Sequence, residues 1–280
     1  MRQLIQNRQS GDIELIEVPA PECRPRMVLV RTLASAVSAG TERHMLKLGR
    51  QSLVRTAMER PDLVSRVVSK FQSEGLAATV RAVQEKTGQT VALGYSSCVR
   101  VLEVGPEVDG LRPGDLVACA GQDYASHAEI VAIPRTLVAR VPEGVPPDQA
   151  AFATLGAIAL EGVRLARVEI GETTVVIGLG LLGQLTVQLL LAAGCRVVAI
   201  DLDAQRVEQA RQAGATVALT NDLLPGADPA SVIGTPHGAD AVLITADSSS
   251  NEPVELAARL AREKGRVVAV GLIRTDLPRH

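Results

Sequence analysis

The stretch "VVIGLGLLGQL", residues 175–185, constrains this chain more than any other. Gly178, Gly180 and Gly183 are spaced G-x-G-x-x-G, directly after an apolar run that reads as a strand and at the start of one that reads as a helix. The spacing has a physical basis. The first glycine permits a tight turn, the second lets the backbone approach a pyrophosphate, and the third lets helix and strand pack closely. The helix N-terminus, with Leu181 and Leu182 in its first turn, then faces the phosphate charge. Residues 197–200 read as the next strand, and Asp201 ends it, 18 residues after Gly183. That is where a carboxylate accepts hydrogen bonds from ribose hydroxyls. A 2′-phosphate beside Asp201 meets like charge, so the reading is NAD(H) rather than NADP(H). A glycine turn with no ligand is the alternative.

The rest of the chain supplies context for that unit. From residue 146 the pattern is a Pro-initiated helix, "PPDQAAFATLGAIALEGVRLARV", and then strands and helices in alternation. Strands are expected at 174–178, 196–201, 216–219, 239–245 and 266–271, with helices at 181–193, 204–213 and 252–263. This is the signature of a parallel sheet with crossover helices. Before residue 146 the chain reads as short strands at 3–6, 14–18, 27–34, 99–104, 116–120, 128–133 and 137–140, punctuated by Gly and Pro. A helical insertion is expected at about 50–90, because Leu63, Val64, Val67, Val68 and Phe71 recur at helical spacing. It reads as a solvated cover, with a substrate lid as the alternative. The expected fold class is thus α/β with two domains: 1–147, β-rich, and 148–280, a Rossmann-type doubly wound sheet.

Composition narrows the function. The net charge is −2, and there are two Tyr, two Phe and no Trp, so the core must be built from Val, Leu, Ile and Ala. Without a basic block or stacking aromatics, nucleic-acid binding is disfavoured. The four cysteines form no CxxC pair, which argues against a disulfide scaffold and a structural zinc. The first 18 residues lack a signal-peptide apolar region, so a cytoplasmic location is expected. Residues 175–200 are about as long and apolar as a membrane span. They are interrupted by Gly178, Gly180, Gly183, Gly194 and Arg196, so a buried strand–helix–strand unit is the better reading.

The order of parts, together with "VLEVGPEVDGLRPGDLVA" (101–118), resembles the medium-chain dehydrogenase/reductase superfamily and its GroES-like N-terminal domain. "SAGTER", "LGYSS" and "TLGAIALEGVRLA" look closest to the first half of bacterial bi-domain oxidoreductases. That resemblance implies a sugar-dehydrogenase-like second module. It also implies a sixth strand that supports subunit pairing, so the chain reads as C-terminally truncated and as a homo-oligomer if complete. It implies hydride transfer between nicotinamide and a carbonyl or alcohol carbon of a small molecule, with sugar- or polyol-like compounds as the class that the bi-domain resemblance suggests. A non-catalytic NAD(H)-binding module of a larger protein is the alternative.

The zinc enzymes of this superfamily supply ligands at positions that align with Ala39, Tyr95 and Leu155, with Thr41 at the proton-relay hydroxyl and Glu42 at the acid position. Ala and Leu cannot ligate and an unactivated phenol ligates poorly, so the resemblance is to the zinc-independent branch. Without zinc, the developing alkoxide needs another electrophile. Tyr95 as proton donor, with Thr41 or Ser38 relaying, is one reading; Tyr95 as filler of the space left by the metal is the other. On the cofactor side the resemblance points to Arg206 near the ribose, Thr245 and Ala246 walling the adenosine, and Gly271 and Leu272 near the carboxamide. His44 and His127 read as lone histidines, and His237 and His280 as loop and tail residues.

Overall fold

The structure, a computed structural model, describes residues 1–7, 10–38, 40, 42, 90–220 and 232–273. The chain divides into two compact units, Met1–Thr154 and Leu155–His280. The expected insertion at 50–90 lies outside the described residues except for Thr90, as do Ala39, Thr41, His44 and His280.

In the first unit, β1 (Arg2–Asn7) lies between β2 (Ile13–Glu17) and β4 (Thr90–Ala92) in an antiparallel three-stranded sheet. β3 (Met27–Ser35), β5 (Ser96–Val104), β6 (Leu116–Ala120), β7 (Ile130–Pro134) and β8 (Val138–Arg140) form a five-stranded sheet in the order β7-β3-β5-β6-β8. All its pairings are antiparallel. Alternate residues of these strands, among them Val28, Val30, Val99, Val101, Val117 and Ile133, fill one core. The period-2 placement of β-branched side chains on one face is what drives the pairing.

The expected single helix from residue 146 is two pieces, α1 (Pro147–Ala150) and α2 (Ala153–Ala166). The break has a local cause. The buried Ser96 hydroxyl donates to the Ala151 carbonyl at 2.6 Å, and the Phe152 N–H turns back to Gln149 at 3.1 Å. The Ala151 carbonyl is thereby held by a partner outside the helix.

The second unit is a five-stranded parallel sheet built from β9 (Thr173–Ile177), β10 (Arg196–Asp201), β11 (Val217–Thr220), β12 (Ala239–Ile244) and β13 (Ala261–Ala269). The strand order is β11-β10-β9-β12-β13, the order of a doubly wound dinucleotide-binding sheet. β9 is buried along its whole length, as a central parallel strand must be when helices cover both faces. Val176, Val197, Ala199 and Leu243 point to one core with Val163, Val187, Leu190 and Val207. Val175, Ile177, Val198 and Ile244 point to the other with Val254, Leu256 and Leu260. These helices are α2, α3 (Leu181–Ala192), α4 (Ala204–Gln212) and α5 (Glu252–Leu260). The sequence placed the end of α5 at residue 263. The structure turns at Ala261, with Lys264 at φ 60°, and enters β13 directly. Among the described residues, no helix is long and apolar enough to cross a membrane; residues 175–200 are β9, α3 and β10.

Candidate functional site

The carboxyl edge of the parallel sheet gathers most of the residues singled out by the sequence. Gly178 follows β9, Asp201 ends β10, Thr245 and Ala246 follow β12, and Gly271 and Leu272 follow β13. This edge, at the point where strand order reverses between β9 and β12, is where open α/β sheets bind ligands.

Each glycine is there for a different reason. Gly178 has φ +93°, and a Cβ on it would sit 2.6 Å from the Ala246 nitrogen. A Cβ on Gly183 would sit 1.9 Å from the Gly178 carbonyl oxygen; the third glycine packs α3 against the turn. Gly180 is different: nothing lies within 4 Å of where its Cβ would be. The fold does not need a glycine at 180, whereas a ligand lying against this backbone does. Gly180 also caps α3 with no side chain. The first helical hydrogen bond to it comes from Gln184 at 2.9 Å, so the N–H groups of Leu181, Leu182 and Gly183 precede the ladder and are available to an anion.

Asp201 secures this loop as well as flanking it. Its side chain is 9% exposed. One carboxylate oxygen accepts the Leu179 N–H at 2.5 Å and the other the Asp203 N–H at 2.9 Å. Each oxygen keeps a second lone pair, so the carboxylate can hold the turn and still accept from a hydroxyl. Arg206, on the first turn of α4, lies 3.8 Å from Asp201 and 3.5 Å from Asp203. It is a half-exposed arginine paired with both acids. Thr245 uses its hydroxyl on the loop itself, 2.5 Å from the Gly178 carbonyl. Gly271 is required by contact, because a Cβ there would meet the Ala246 carbonyl oxygen at 2.1 Å, while Leu272 is exposed. Sequence reasoning missed Gln184, whose amide donates to the carbonyls of Leu179 and Arg206 at 3.2 and 2.8 Å and ties loop to α4. A glutamine after the third glycine carries no signal of that role.

The residues present therefore fit a dinucleotide: a glycine cradle that a Cβ would fill, free helical N–H groups and an ionisable ribose acceptor.

In the first unit, Tyr95 is half-buried between β4 and β5, and its carbonyl accepts from Gly121 at 3.0 Å. Ser38 is buried and Leu155 is 3% exposed. Thr41, the expected relay partner, lies outside the described residues. His127 is not the lone histidine that the sequence suggested: its ring meets Ser35 and Glu42. Burial pushes the Cys119 thiol up to about 12, with Cys98 beside it adding to the shift, and burial also raises Cys98 and Cys195. These thiols are inert at neutral pH, since the thiolate is the nucleophile and the ligand. Among the described residues no group of three His, Cys, Asp or Glu is placed to hold a metal.

The fold is that of an α/β protein with a GroES-like β-rich unit and a Rossmann-like parallel-sheet unit. The family model described as zinc-binding dehydrogenase matches residues 182–279. Galactitol 1-phosphate 5-dehydrogenase of Escherichia coli K12 is 26% identical over 214 residues, covering 67% of this chain and 61% of that protein. The chain thus spans about three fifths of the length of this curated relative. The crystal structure of galactitol-1-phosphate dehydrogenase from E. coli superimposes with a TM-score of 0.76 at 20% identity, over 100% of this chain and 78% of the other. A Sinorhizobium meliloti 1021 protein described as a zinc-binding dehydrogenase, bound to NADP, gives 0.74 at 24% identity, over 99% and 79%. The family model covers less than half of this chain, and the solved structures, each under 25% identical, show a likeness of fold.

Proposed function

We propose that this chain is an oxidoreductase module that transfers hydride between a nicotinamide dinucleotide and a carbonyl or alcohol carbon, with NAD(H) preferred and no catalytic zinc. The observation that carries the reading is the unfilled space at Gly180 beside the carboxylate of Asp201.

Gly180, Leu181 and Leu182 would hold the pyrophosphate, Asp201 the adenosine ribose, and Thr245, Ala246, Gly271 and Leu272 would line the remainder. Arg206 is held by Asp201 and Asp203, and the negative charge at the end of β10 disfavours a 2′-phosphate. When bound, the nicotinamide supplies the hydride donor or acceptor. The chain's own part is the proton: Tyr95 would donate it from its phenol to the developing alkoxide, with Ser38 and Thr41 relaying.

Zinc does not fit the residue types. Leu155 is a buried apolar side chain, Ala39 has no ligating atom, and a phenol is a poor ligand. No step is therefore routed through a metal. The E. coli relative's name places a polyol phosphate among the substrates to test first.

The test is a nicotinamide absorbance assay of the full chain with polyols and polyol phosphates. NAD-dependent turnover that Tyr95→Phe reduces about tenfold or more supports the reading, and full turnover in that variant removes the phenol from it. NAD(H) binding with no turnover on any compound favours a non-catalytic NAD(H) module, for which the replaced ligand positions are the motivating feature.

A further inference from the structure

Away from the glycine loop, the described residues bring a ring, a carboxylate and a hydroxyl together at His127. The residue lies in the bend before β7, with its side chain 11% exposed and that of Glu42 14% exposed. Nε2 is 3.2 Å from Oε1 of Glu42, and Nδ1 is 2.8 Å from the Ser35 hydroxyl. A carboxylate only accepts, so Nε2 donates to Glu42; in the neutral ring Nδ1 then accepts from Ser35. The same Glu42 oxygen takes the Ser38 N–H at 3.2 Å, and the Glu42 N–H returns to the Ser38 carbonyl at 2.9 Å. His127 is thus linked to both Ser38 and Glu42 through one carboxylate.

The other side of the ring meets a second segment. Gly94, with φ +92°, lies so close that a Cβ would sit 2.9 Å from the ring's Cε1 and Cγ. The His127 N–H donates to the Leu93 carbonyl at 2.7 Å, and its own carbonyl accepts from Leu4 at 2.9 Å. The main chain of His127 thus holds the segment just before Tyr95, its ring packs on Gly94 in that segment, and its Nε2 reaches Glu42, which is bonded to Ser38.

We propose that His127 is a positioning residue: through Glu42 and Gly94 it sets the two segments whose hydroxyls handle the proton, Ser38 and Tyr95. The proposal rests on the oxidoreductase reading above. It identifies a role for Glu42 that needs no metal, since its carboxylate is engaged by a histidine 85 positions away. His127 touches neither reacting atom; it acts by restricting where the hydroxyls sit, and misplacement of about 1 Å costs about a hundredfold in rate.

The experiment compares His127→Leu, which keeps bulk and loses the donor, with His127→Gln, which keeps a donor, in the full chain. The probes are NAD with galactitol 1-phosphate, together with amide hydrogen exchange. In His127→Leu, exchange at Ser38, Glu42 and residues 93–95 should quicken by about tenfold or more. The kcat should fall by about tenfold or more, with KM for NAD changed less than about twofold. His127→Gln should recover part of both effects. Unchanged exchange at both segments in His127→Leu overturns the proposal. So does an equal loss of kcat and thermal stability in both variants, which marks a merely structural residue. If the wild-type chain shows no turnover, the oxidoreductase reading fails on its own, and the exchange comparison still decides whether His127 holds the two segments.

Discussion

At the residue scale, the glycine loop separates glycines that the fold needs from one that only the proposed ligand would need. Gly183→Ala places a methyl 1.9 Å from a carbonyl oxygen, so backbone must move, at a cost of about 1–3 kcal/mol for overpacking. Gly180→Ala adds a methyl to open space at φ −64°, where stability should stay within about 0.5 kcal/mol of the parent. The same methyl stands where the backbone would approach a pyrophosphate, so NAD(H) affinity should fall about tenfold, or ~1.4 kcal/mol. Thermal unfolding and calorimetry on the two variants check this. A Gly180→Ala protein that binds NAD(H) as tightly as the parent would falsify the loop assignment. Spacing made these glycines legible in the sequence, since the motif is local and each role follows from a missing Cβ. His127 was not legible, because its partners Ser35 and Glu42 lie 92 and 85 positions away, and no periodicity connects residues that only the fold brings together.

At the element scale, the parallel sheet is stapled at the end opposite the loop. The Asp240 carboxylate, on β12, accepts the Thr173 N–H of β9 at 2.8 Å and the Arg262 guanidinium of β13 at 2.7 Å. It thereby bridges the two strands on either side of its own. Burial alone would raise this carboxyl, but the bonds from Arg262 and Thr173, with Arg266 nearby, outweigh it and hold the group below the usual aspartate range. An aspartate in the unfolded chain titrates at about 3.9. The folded value lies lower, so the stabilisation is complete above that pH and is lost as pH falls through the folded value. Asp240→Asn should therefore cost about 1–3 kcal/mol near neutrality, and the deficit should narrow below about pH 4. Denaturant unfolding at the two pH values reads this directly; equal deficits at both would sink it. Elements of this kind were legible where burial imposes a period, as in β6 and β10, whose bounds match the sequence reading. The ends decided by distant partners were not, such as the α1–α2 break at Ala151 set by Ser96. The three-residue β4 was missed because so short a strand is defined only by its pairing with β1.

At the scale of the whole molecule, four aromatics in 280 residues leave the core to aliphatic side chains; among the described residues the buried hydrophobic core contains Val, Leu, Ile, Ala and Cys and no ring. Burial also bears on the proposed absence of a catalytic zinc, a question that a family model for zinc-binding dehydrogenases raises. A catalytic zinc needs three protein ligands, with Cys as thiolate and His neutral. In this chain the thiols of Cys98, Cys119 and Cys195 are raised by burial, and Leu155 is apolar and enclosed. His127 spends both ring nitrogens on Ser35 and Glu42. Binding a metal at that histidine would mean breaking a hydrogen-bonded pair that is nearly buried, with the attendant cost of leaving a carboxylate uncompensated. Protein purified in the presence of zinc and then dialysed should thus carry well under one zinc per chain by elemental analysis. Its NAD-dependent turnover should be unchanged by a chelator at a concentration that strips catalytic zinc from a metal-dependent dehydrogenase run alongside. Stoichiometric zinc, or turnover that falls with chelation and returns with added zinc, would defeat the zinc-independent reading.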